Sequence, residues 1–236
     1  MFRPIFLTLL YICGALPATL GPCRRADRAC LSRAIGNAFP IVVGGVPSRG
    51  VNSGDPIYQE VIEGEIPLLK YKFTNTSTSG FKNCVLKSSN LNLDALKFAY
   101  ELDCPSISMS GNYEISGELL VMPVEGKGTY EVVTSKYWAG VDANLQIYER
   151  DGQTYMKMTT FTLKVQALGP IKFDFRNLFK GNQRLSDAVH KFAHENWRNV
   201  ARLFDQQVFS KNLKAIIKGY NKYLKFEPLE EIIIDY

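Results

Sequence analysis

Apolar side chains in the last quarter of the chain recur in steps of three and four. Between Leu185 and Phe204 the apolar positions are Leu185, Val189, Phe192, Val200, Leu203 and Phe204. This spacing places them on one side of a helix, with charged residues on the other side. Helix-permissive sequence continues to about Leu224, which predicts a helical stretch of about 60 Å. A domain of this size has a radius of gyration of about 17 Å, so an equally long surface must cover the apolar stripe.

The direction of the apolar stripe changes within this helix. The later apolar positions point more than about 90° away from the earlier ones; they are Leu213, Ile217, Tyr220 and Leu224. We therefore predict a kink or break near Phe209–Lys211, with Ser210 as a candidate cap of the second segment.

The middle of the chain alternates apolar and polar residues with a period of two. The clearest segments are 69–74, 96–103, 141–148, 161–167 and 171–175. This period predicts strands with one buried and one exposed face, and Asp151-Gly152 is typical of a hairpin turn. Because no helical pattern interrupts residues 64–176, the sequence disfavours βαβ folds and favours an antiparallel sheet. The predicted fold class is α+β, with the long C-terminal helix against a large curved sheet.

The first residues have the pattern of a secretory signal peptide. Arg3 gives a positive start, Ile5–Leu16 gives an apolar run, and cleavage is expected near Gly21–Pro22. The apolar run is too short to span a bilayer, and no later segment has the unbroken apolar length that a spanning helix needs. We therefore predict a signal peptide over residues 1–21 and a single secreted, extracellular domain over residues 22–236.

Export determines how the cysteines are interpreted. Four cysteines remain after cleavage, and an even number in an oxidising compartment favours disulfides over a metal site. Cys23 and Cys30 enclose six residues and would pin the mature N-terminus to a short helix that Asp27 can cap. Cys84 and Cys104 fall in predicted neighbouring strands, where bonding requires a strict geometry, so both the bonded and the free state remain open.

Charge and modification signals add two expectations. The net charge is +5 and the sequence pI is about 8.9, but lysine and arginine are scattered along the sequence. This distribution favours a solvated surface over a nucleic-acid partner, and no stable membrane insertion is expected. Asn75-Thr76-Ser77 is an N-glycosylation sequon, which can be used only after export.

The sequence offers little support for catalysis, a metal or a cofactor. It contains no G-x-S-x-G elbow, no P-loop and no G-x-G-x-x-G after a strand. His190 and His194 have a spacing that can hold zinc. They lie on the rim of the polar helix face without a third ligand, so we predict a solvent-exposed pair. Gly126-Lys127-Gly128 is predicted to be a turn between strands.

Several local strings, in their order along the chain, resemble the insect haemolymph juvenile hormone binding proteins and their takeout-like relatives. The strings are Cys23 and Cys30 with their short spacing, Asp55-Pro56, Gly111–Gly117 (GNYEISG), Gly126-Lys127-Gly128, Asn177-Leu178-Phe179 with Gly181, and Asn196-Trp197 after Glu195. The resemblance covers essentially the whole mature chain. It implies a super-roll, TULIP-like fold, in which a highly curved antiparallel sheet wraps the long helix around a tunnel for an apolar molecule. It also implies a carrier in the haemolymph and no enzyme activity.

Bulky residues on the inward-facing patterns are the candidates for the tunnel wall. They are Phe39, Tyr130, Val132, Trp138, Val141, Phe161, Leu163, Val189, Phe192, Val200 and Phe204. Tyr130 and Tyr155 are the hydroxyls expected to serve as a polar anchor. The alternative for each residue is an ordinary place in the core, because core residues outnumber cavity walls.

The function predicted from these observations is that of a carrier for a small hydrophobic molecule, such as a juvenile hormone-like terpenoid, a fatty acid or a similar lipid. Two alternatives remain at this stage. One is an extracellular interaction or signalling protein whose groove is filled by its own side chains. The other is a lipid-transfer protein that uses its basic charge to approach anionic lipid at a membrane surface. The sequence leaves the ligand and the oligomeric state open.

Overall fold

The computed structural model describes residues 21–236, so the predicted signal peptide lies outside the described residues except for Gly21. An N-terminal helix, α1, spans Arg28–Gly44. The strands follow in chain order as β1 (Ile57–Ile66), β2 (Leu69–Ser79), β3 (Val85–Asn92), β4 (Lys97–Cys104), β5 (Ser108–Leu119), β6 (Met122–Thr134), β7 (Tyr137–Arg150), β8 (Gln153–Ala167) and β9 (Ile171–Phe175). The remaining helices are α2 (Gln183–Glu195), α3 (Trp197–Phe204), α4 (Ser210–Leu224) and α5 (Leu229–Ile232).

The strands form two antiparallel sheets. One has five strands in the order β1-β2-β5-β6-β9, and the other has four in the order β3-β4-β7-β8. The predicted hairpin is present, with Asp151 and Gly152 at φ 54° and 75° between β7 and β8. The α+β class with its C-terminal helix is confirmed, and the division of the strands into two hydrogen-bonded sheets is a detail that the alternation does not reveal.

The C-terminal helix is interrupted twice. A turn at Asn196 separates α2 from α3, and a π-helical turn over Asp205–Phe209 separates α3 from α4. This π turn directly adjoins the predicted break at Phe209–Lys211. A π turn accommodates one extra residue, which rotates the following helix by about 100°. The rotation compensates for the change in stripe direction, so both apolar stripes are buried; their buried members include Val189, Val200, Leu213, Ile217 and Leu224.

Two disulfides fix the ends of local segments. Cys23 is bonded to Cys30, and the backbone N–H of Cys30 donates to the Asp27 carboxylate at 2.9 Å, which caps α1 as predicted. Cys84 is bonded to Cys104, joining the residue before β3 to the end of β4. The pairing of these two cysteines, left open by the sequence, is therefore settled by the β3–β4 hairpin.

The glycine string Gly126-Lys127-Gly128 lies inside β6, so the predicted turn is wrong. The two glycines allow the segment after β9 to approach the strand closely. A side chain at Gly128 would come 2.2 Å from the carbonyl oxygen of Arg176, and Gly126 forms a bridge with Leu178. The Tyr113 hydroxyl donates to that same Arg176 carbonyl at 2.8 Å. Residues distant in sequence therefore meet at one end of the five-stranded sheet.

The core lies between the inner faces of the two sheets and the helices. α2 packs on β9, whereas α4 packs on β8 and α1. None of the helices formed by residues 21–236 has the length and apolar character needed to cross a bilayer. This arrangement places α2 over the five-stranded sheet and places α1 and α4 over the four-stranded sheet, with α3 between them and in contact with β8.

Candidate functional site

The larger interior space lies between the five-stranded sheet and the helices α2 and α3. It is a cavity of about 80 Å³ with an apolar wall. Strand residues on the wall include Phe73, Met109, Ile115, Tyr130, Val132, Phe173 and Phe175, and helical residues include Val189, Ala193, Val200, Phe204, Val208 and Phe209. A single water requires about 10–15 Å³. The cavity is therefore a void suited to an apolar chain or ring.

Aromatic rings shape one side of this cavity. The ring of Tyr130 lies 4.8 Å from that of Phe73 and 5.5 Å from that of Phe175, and the rings of Tyr130 and Phe175 are stacked. Such packing restricts the rings and preforms the wall. The Tyr130 hydroxyl is hydrogen-bonded to the Thr76 hydroxyl at 2.9 Å. Burial raises the pKa of Tyr130 to about 12, so its hydroxyl stays protonated. The hydroxyl is engaged by Thr76, and the surface that the wall offers to the cavity is apolar.

The structure brings five of the predicted lining residues to this cavity; they are Tyr130, Val132, Val189, Val200 and Phe204. Phe39 instead borders a separate gap of about 10 Å³ beside Tyr100 and Tyr220. The wall of the larger cavity does not include the other six candidates, which are Trp138, Val141, Tyr155, Phe161, Leu163 and Phe192.

These six residues have other surroundings. Val141 is buried in the core of the four-stranded sheet, and Phe161 and Leu163 are half-buried on the neighbouring β8. The Trp138 ring lies over Gly140, and Phe192 is half-buried on α2. The Tyr155 hydroxyl donates to the side chain of Gln153 at 3.0 Å near the β7–β8 turn. Tyr155 therefore does not provide a polar anchor in the larger cavity. The alternation identified an inward face, but it could not tell which part of a face borders a void.

Sequence reasoning missed several wall residues for which a signal was present. Phe173 and Phe175 lie on the β9 alternation, and both face the larger cavity. Val208 and Phe209, which belong to the π turn, also lie on the wall. The strand pattern could have identified the first pair, whereas the second pair depends on a helical irregularity.

A second apolar cavity, of about 40 Å³, lies between the four-stranded sheet and the helices α1 and α4. Its wall includes Ile35, Ala38, Phe98, Leu145, Met156, Met158, Tyr220 and Leu224. The buried Tyr220 hydroxyl has no hydrogen-bond partner among the described residues, and burial raises the pKa of Tyr220 well above its ordinary value. The interior thus contains two apolar spaces at different positions along the C-terminal helix.

Buried polar contacts hold the π turn and the start of α4 against the strands. The Tyr137 hydroxyl donates to Asp205 Oδ1 at 2.9 Å. Burial raises the pKa of Asp205 to about 6, although the Tyr137 hydrogen bond acts in the opposite direction. The fully buried Asn212 donates from Nδ2 to the Thr78 hydroxyl at 3.4 Å. These contacts fix the part of the C-terminal helix that lies between the wall residues of the larger cavity and those of the second cavity.

His190 and His194 attach α2 to the outer edge of β9. His194 is exposed, as predicted, whereas His190 is only partly exposed, and both imidazoles accept hydrogen bonds from the backbone of β9. The backbone N–H of Phe175 donates to His190 Nε2 at 2.9 Å, and the backbone N–H of Phe173 lies 2.9 Å from His194 Nε2. His190 Nδ1 lies 2.9 Å from the Ser186 carbonyl oxygen, to which it can donate. The imidazoles thereby satisfy donors of an edge strand, and His190 also lies on the wall of the larger cavity.

We expect His190→Leu to loosen this attachment, because the Phe175 N–H would lose its acceptor. The free energy of unfolding should fall by about 1–2 kcal/mol, and hydrogen exchange at the Phe175 amide should accelerate. His190→Gln is the matched control, since its side-chain carbonyl can accept the same hydrogen bond. Equal exchange rates at Phe175 in the two variants would contradict the proposed attachment.

Comparisons with known proteins identify the family of the chain. The family model of the haemolymph juvenile hormone binding protein matches residues 5–234. The circadian clock-controlled protein daywake of Drosophila melanogaster is 25% identical over 200 residues, which cover 78% of this chain and 75% of that protein. Daywake of Drosophila yakuba is 22% identical over 232 residues, covering 89% of each chain.

A solved structure shows the same fold. Takeout 1 of Epiphyas postvittana superposes with a TM-score of 0.85 at 23% sequence identity, covering 89% of this chain and 98% of that one. At this level of identity the similarity shows the architecture of two antiparallel sheets and a C-terminal helix. Taken with the match of the family model over nearly the whole sequence, it shows that the chain belongs to the haemolymph juvenile hormone binding protein family.

Proposed function

We propose that this protein is a secreted carrier that holds a small apolar molecule, such as a terpenoid or a fatty acyl chain, in the larger cavity. The observation that carries the proposal is the apolar cavity of about 80 Å³ between the five-stranded sheet and α2–α3. Burial of about 400 Å² of apolar ligand surface contributes about 10 kcal/mol before entropic costs. Micromolar binding needs about 8 kcal/mol, so hydrophobic burial in such a wall supplies a driving force of the required order.

Secretion is supported by three independent features. The first residues have the signal pattern, and the structure contains two disulfides, which persist in oxidising compartments. Asn75 of the sequon is exposed at an irregularity of β2, between the paired residues Thr74 and Ser77. Its side chain is therefore accessible, and we propose that it carries an N-linked glycan.

The polar groups of the cavity support binding over catalysis. Tyr130 and His190 are on the wall, and each is engaged in hydrogen bonds with the protein. A nucleophile or general base would need an unoccupied partner directed at the ligand. The wall offers apolar surface to a ligand, so binding there rests on hydrophobic burial.

Extraction of the protein after secretion from insect cells, followed by mass spectrometry, tests the proposal. We expect an apolar compound in stoichiometric amount, or stoichiometric uptake of a farnesyl terpenoid or palmitic acid by the delipidated protein. The extraction should be compared with an unrelated secreted protein from the same cells, which controls for adventitious lipid. A protein that arrives empty and takes up neither compound would overturn the carrier proposal and would favour an interaction protein with a filled groove.

A further inference from the structure

The exposed side of α4 carries a row of lysines that we call the lysine stripe: Lys211, Lys214, Lys218 and Lys222, with Lys225 directly after the helix. At 100° per residue the five positions fall within an arc of about 80°, over a length of about 21 Å. All five side chains are exposed. The sequence of α4 contains no acidic residue, so the stripe has one sign of charge along its whole length.

None of the stripe lysines forms an ion pair with another residue in the described part of the chain. The lysines that form ion pairs with described residues are Lys72, Lys87, Lys127 and Lys191, which lie on other elements. An exposed helix face that merely solvates a protein usually interleaves both signs of charge. Charges that appear scattered in the sequence are thus concentrated into one line by the helical period.

The lysine stripe lies on the same helix that forms part of the wall of the second cavity. The opposite side of the same helix contributes Tyr220 and Leu224 to the second cavity. Phe226 follows Lys225 and is 49% exposed, with the Arg49 guanidinium near its ring. Exposed aromatic rings beside lysines are typical of segments that rest at a membrane–water interface.

We propose that the lysine stripe docks the protein on an anionic lipid surface, where the carrier loads or releases its ligand. The stripe consists of lysines, which act as flexible point charges and suit a plane of many headgroups; fixed recognition of individual phosphates usually uses the planar fork of arginine. The role in loading rests on the proposed carrier function, whereas the docking itself requires no ligand in the cavity.

Co-sedimentation with lipid vesicles tests the docking surface. We expect the protein to bind vesicles of phosphatidylcholine mixed with phosphatidylglycerol, to ignore vesicles of phosphatidylcholine alone, and to dissociate as salt is raised. Each lysine near an anionic surface strengthens binding about fivefold. The triple variant Lys214→Gln, Lys218→Gln and Lys222→Gln should therefore bind about a hundredfold more weakly. Glutamine preserves helix propensity, so the variant should stay folded.

A matched control removes the same charge elsewhere. Lys136, Lys164 and Lys172 are exposed residues outside α4, and their replacement by glutamine should leave vesicle binding within about twofold of the wild type, because they lie off the stripe. Equal binding by the two triple variants, or failure of the wild type to bind the anionic vesicles, would overturn the proposal. Tight binding to heparin without binding to anionic vesicles would also overturn it, since the stripe would then serve a soluble polyanion.

Uptake of a fluorescent fatty acid by the same proteins, in the absence of vesicles, separates the two proposals. We expect the stripe variant to take up this probe as the wild type does, because the replaced lysines lie outside the wall of either cavity. Vesicle binding by a protein that cannot take up the probe would refute the carrier and leave the docking surface intact. Loss of uptake in the folded stripe variant would refute the separation between docking and binding.

Discussion

Val200→Asp abolishes uptake of an apolar ligand by the folded protein. Val200 is 2% exposed and lies on α3, where it forms part of the wall of the larger cavity. An aspartate there replaces dry apolar surface with a group that must either ionise without a partner or bind a proton. Burial of an unpaired charge or polar group costs several kcal/mol. Affinity for a farnesyl terpenoid should therefore fall by more than about a hundredfold, measured by displacement of a fluorescent probe.

Two further variants serve as controls for this prediction. Val121→Asp makes the same chemical change in the turn between β5 and β6, where Val121 is 78% exposed, so it should bind ligand as the wild type does. Val200→Phe fills the cavity without adding charge and should reduce uptake while far-ultraviolet circular dichroism stays native. Wild-type uptake by a folded Val200→Asp protein would show that the ligand occupies another part of the interior.

The helix period indicates which side of the helix packs, but not which residues on that side border the void. Val189, Val200 and Phe204 lie on the cavity wall, whereas Phe192 of the same stripe is half-buried away from the wall and Leu185 is 46% exposed. The π turn at Asp205–Phe209 left a trace as well, because the stripe changes direction there. The sequence located that change within a few residues. It could not distinguish a kink from a π turn, because both produce the same apolar pattern.

The strand period was a weaker guide to the cavity. Val141 and Tyr130 both lie on an inward alternation, yet Val141 is core of the four-stranded sheet and Tyr130 faces the larger cavity. The difference depends on which strands pair and where the helices leave space, which are contacts between residues far apart in sequence. Gly126 and Gly128 were misjudged for the same reason, since their function is to admit a distant segment. The local pattern shows which face of a strand is buried, but only the assembled fold shows what that face packs against.

Buried polar groups depend on long-range contacts in the same way. Asp205 is one of several charged residues on its helix, and its carboxylate is distinguished only by the fold, which leaves it 6% exposed beneath the Tyr137 hydroxyl. The hydrogen bond at 2.9 Å favours the ionised carboxylate, whereas burial disfavours it. Because burial is the larger effect, the pKa of Asp205 rises to about 6.

The raised pKa sets the sign of a pH effect on stability. An aspartate in an unfolded chain has a pKa of about 3.9, so the native protein holds this proton more tightly than the unfolded chain does. Because native Asp205 binds this proton more tightly, the resulting contribution to the free energy of unfolding is complete below about pH 4. It is lost as the pH rises through about 6, where the native carboxyl ionises. At neutral pH the ionised Asp205 therefore lowers the free energy of unfolding, and a neutral side chain of the same shape should restore it.

Asp205→Asn should consequently be more stable than the wild type at neutral pH. Its amide oxygen can still accept the Tyr137 hydrogen bond, and it carries no charge to bury. We expect a gain of about 1–3 kcal/mol in the free energy of unfolding at pH near 7.5, which shrinks toward zero near pH 4, measured by urea denaturation at both values. Asp142→Asn, on the exposed face of β7, should show no such pH-dependent gain. A less stable Asp205→Asn protein at neutral pH would mean that the charged hydrogen bond to Tyr137 outweighs the cost of burial, and that the π turn depends on an ionised carboxylate.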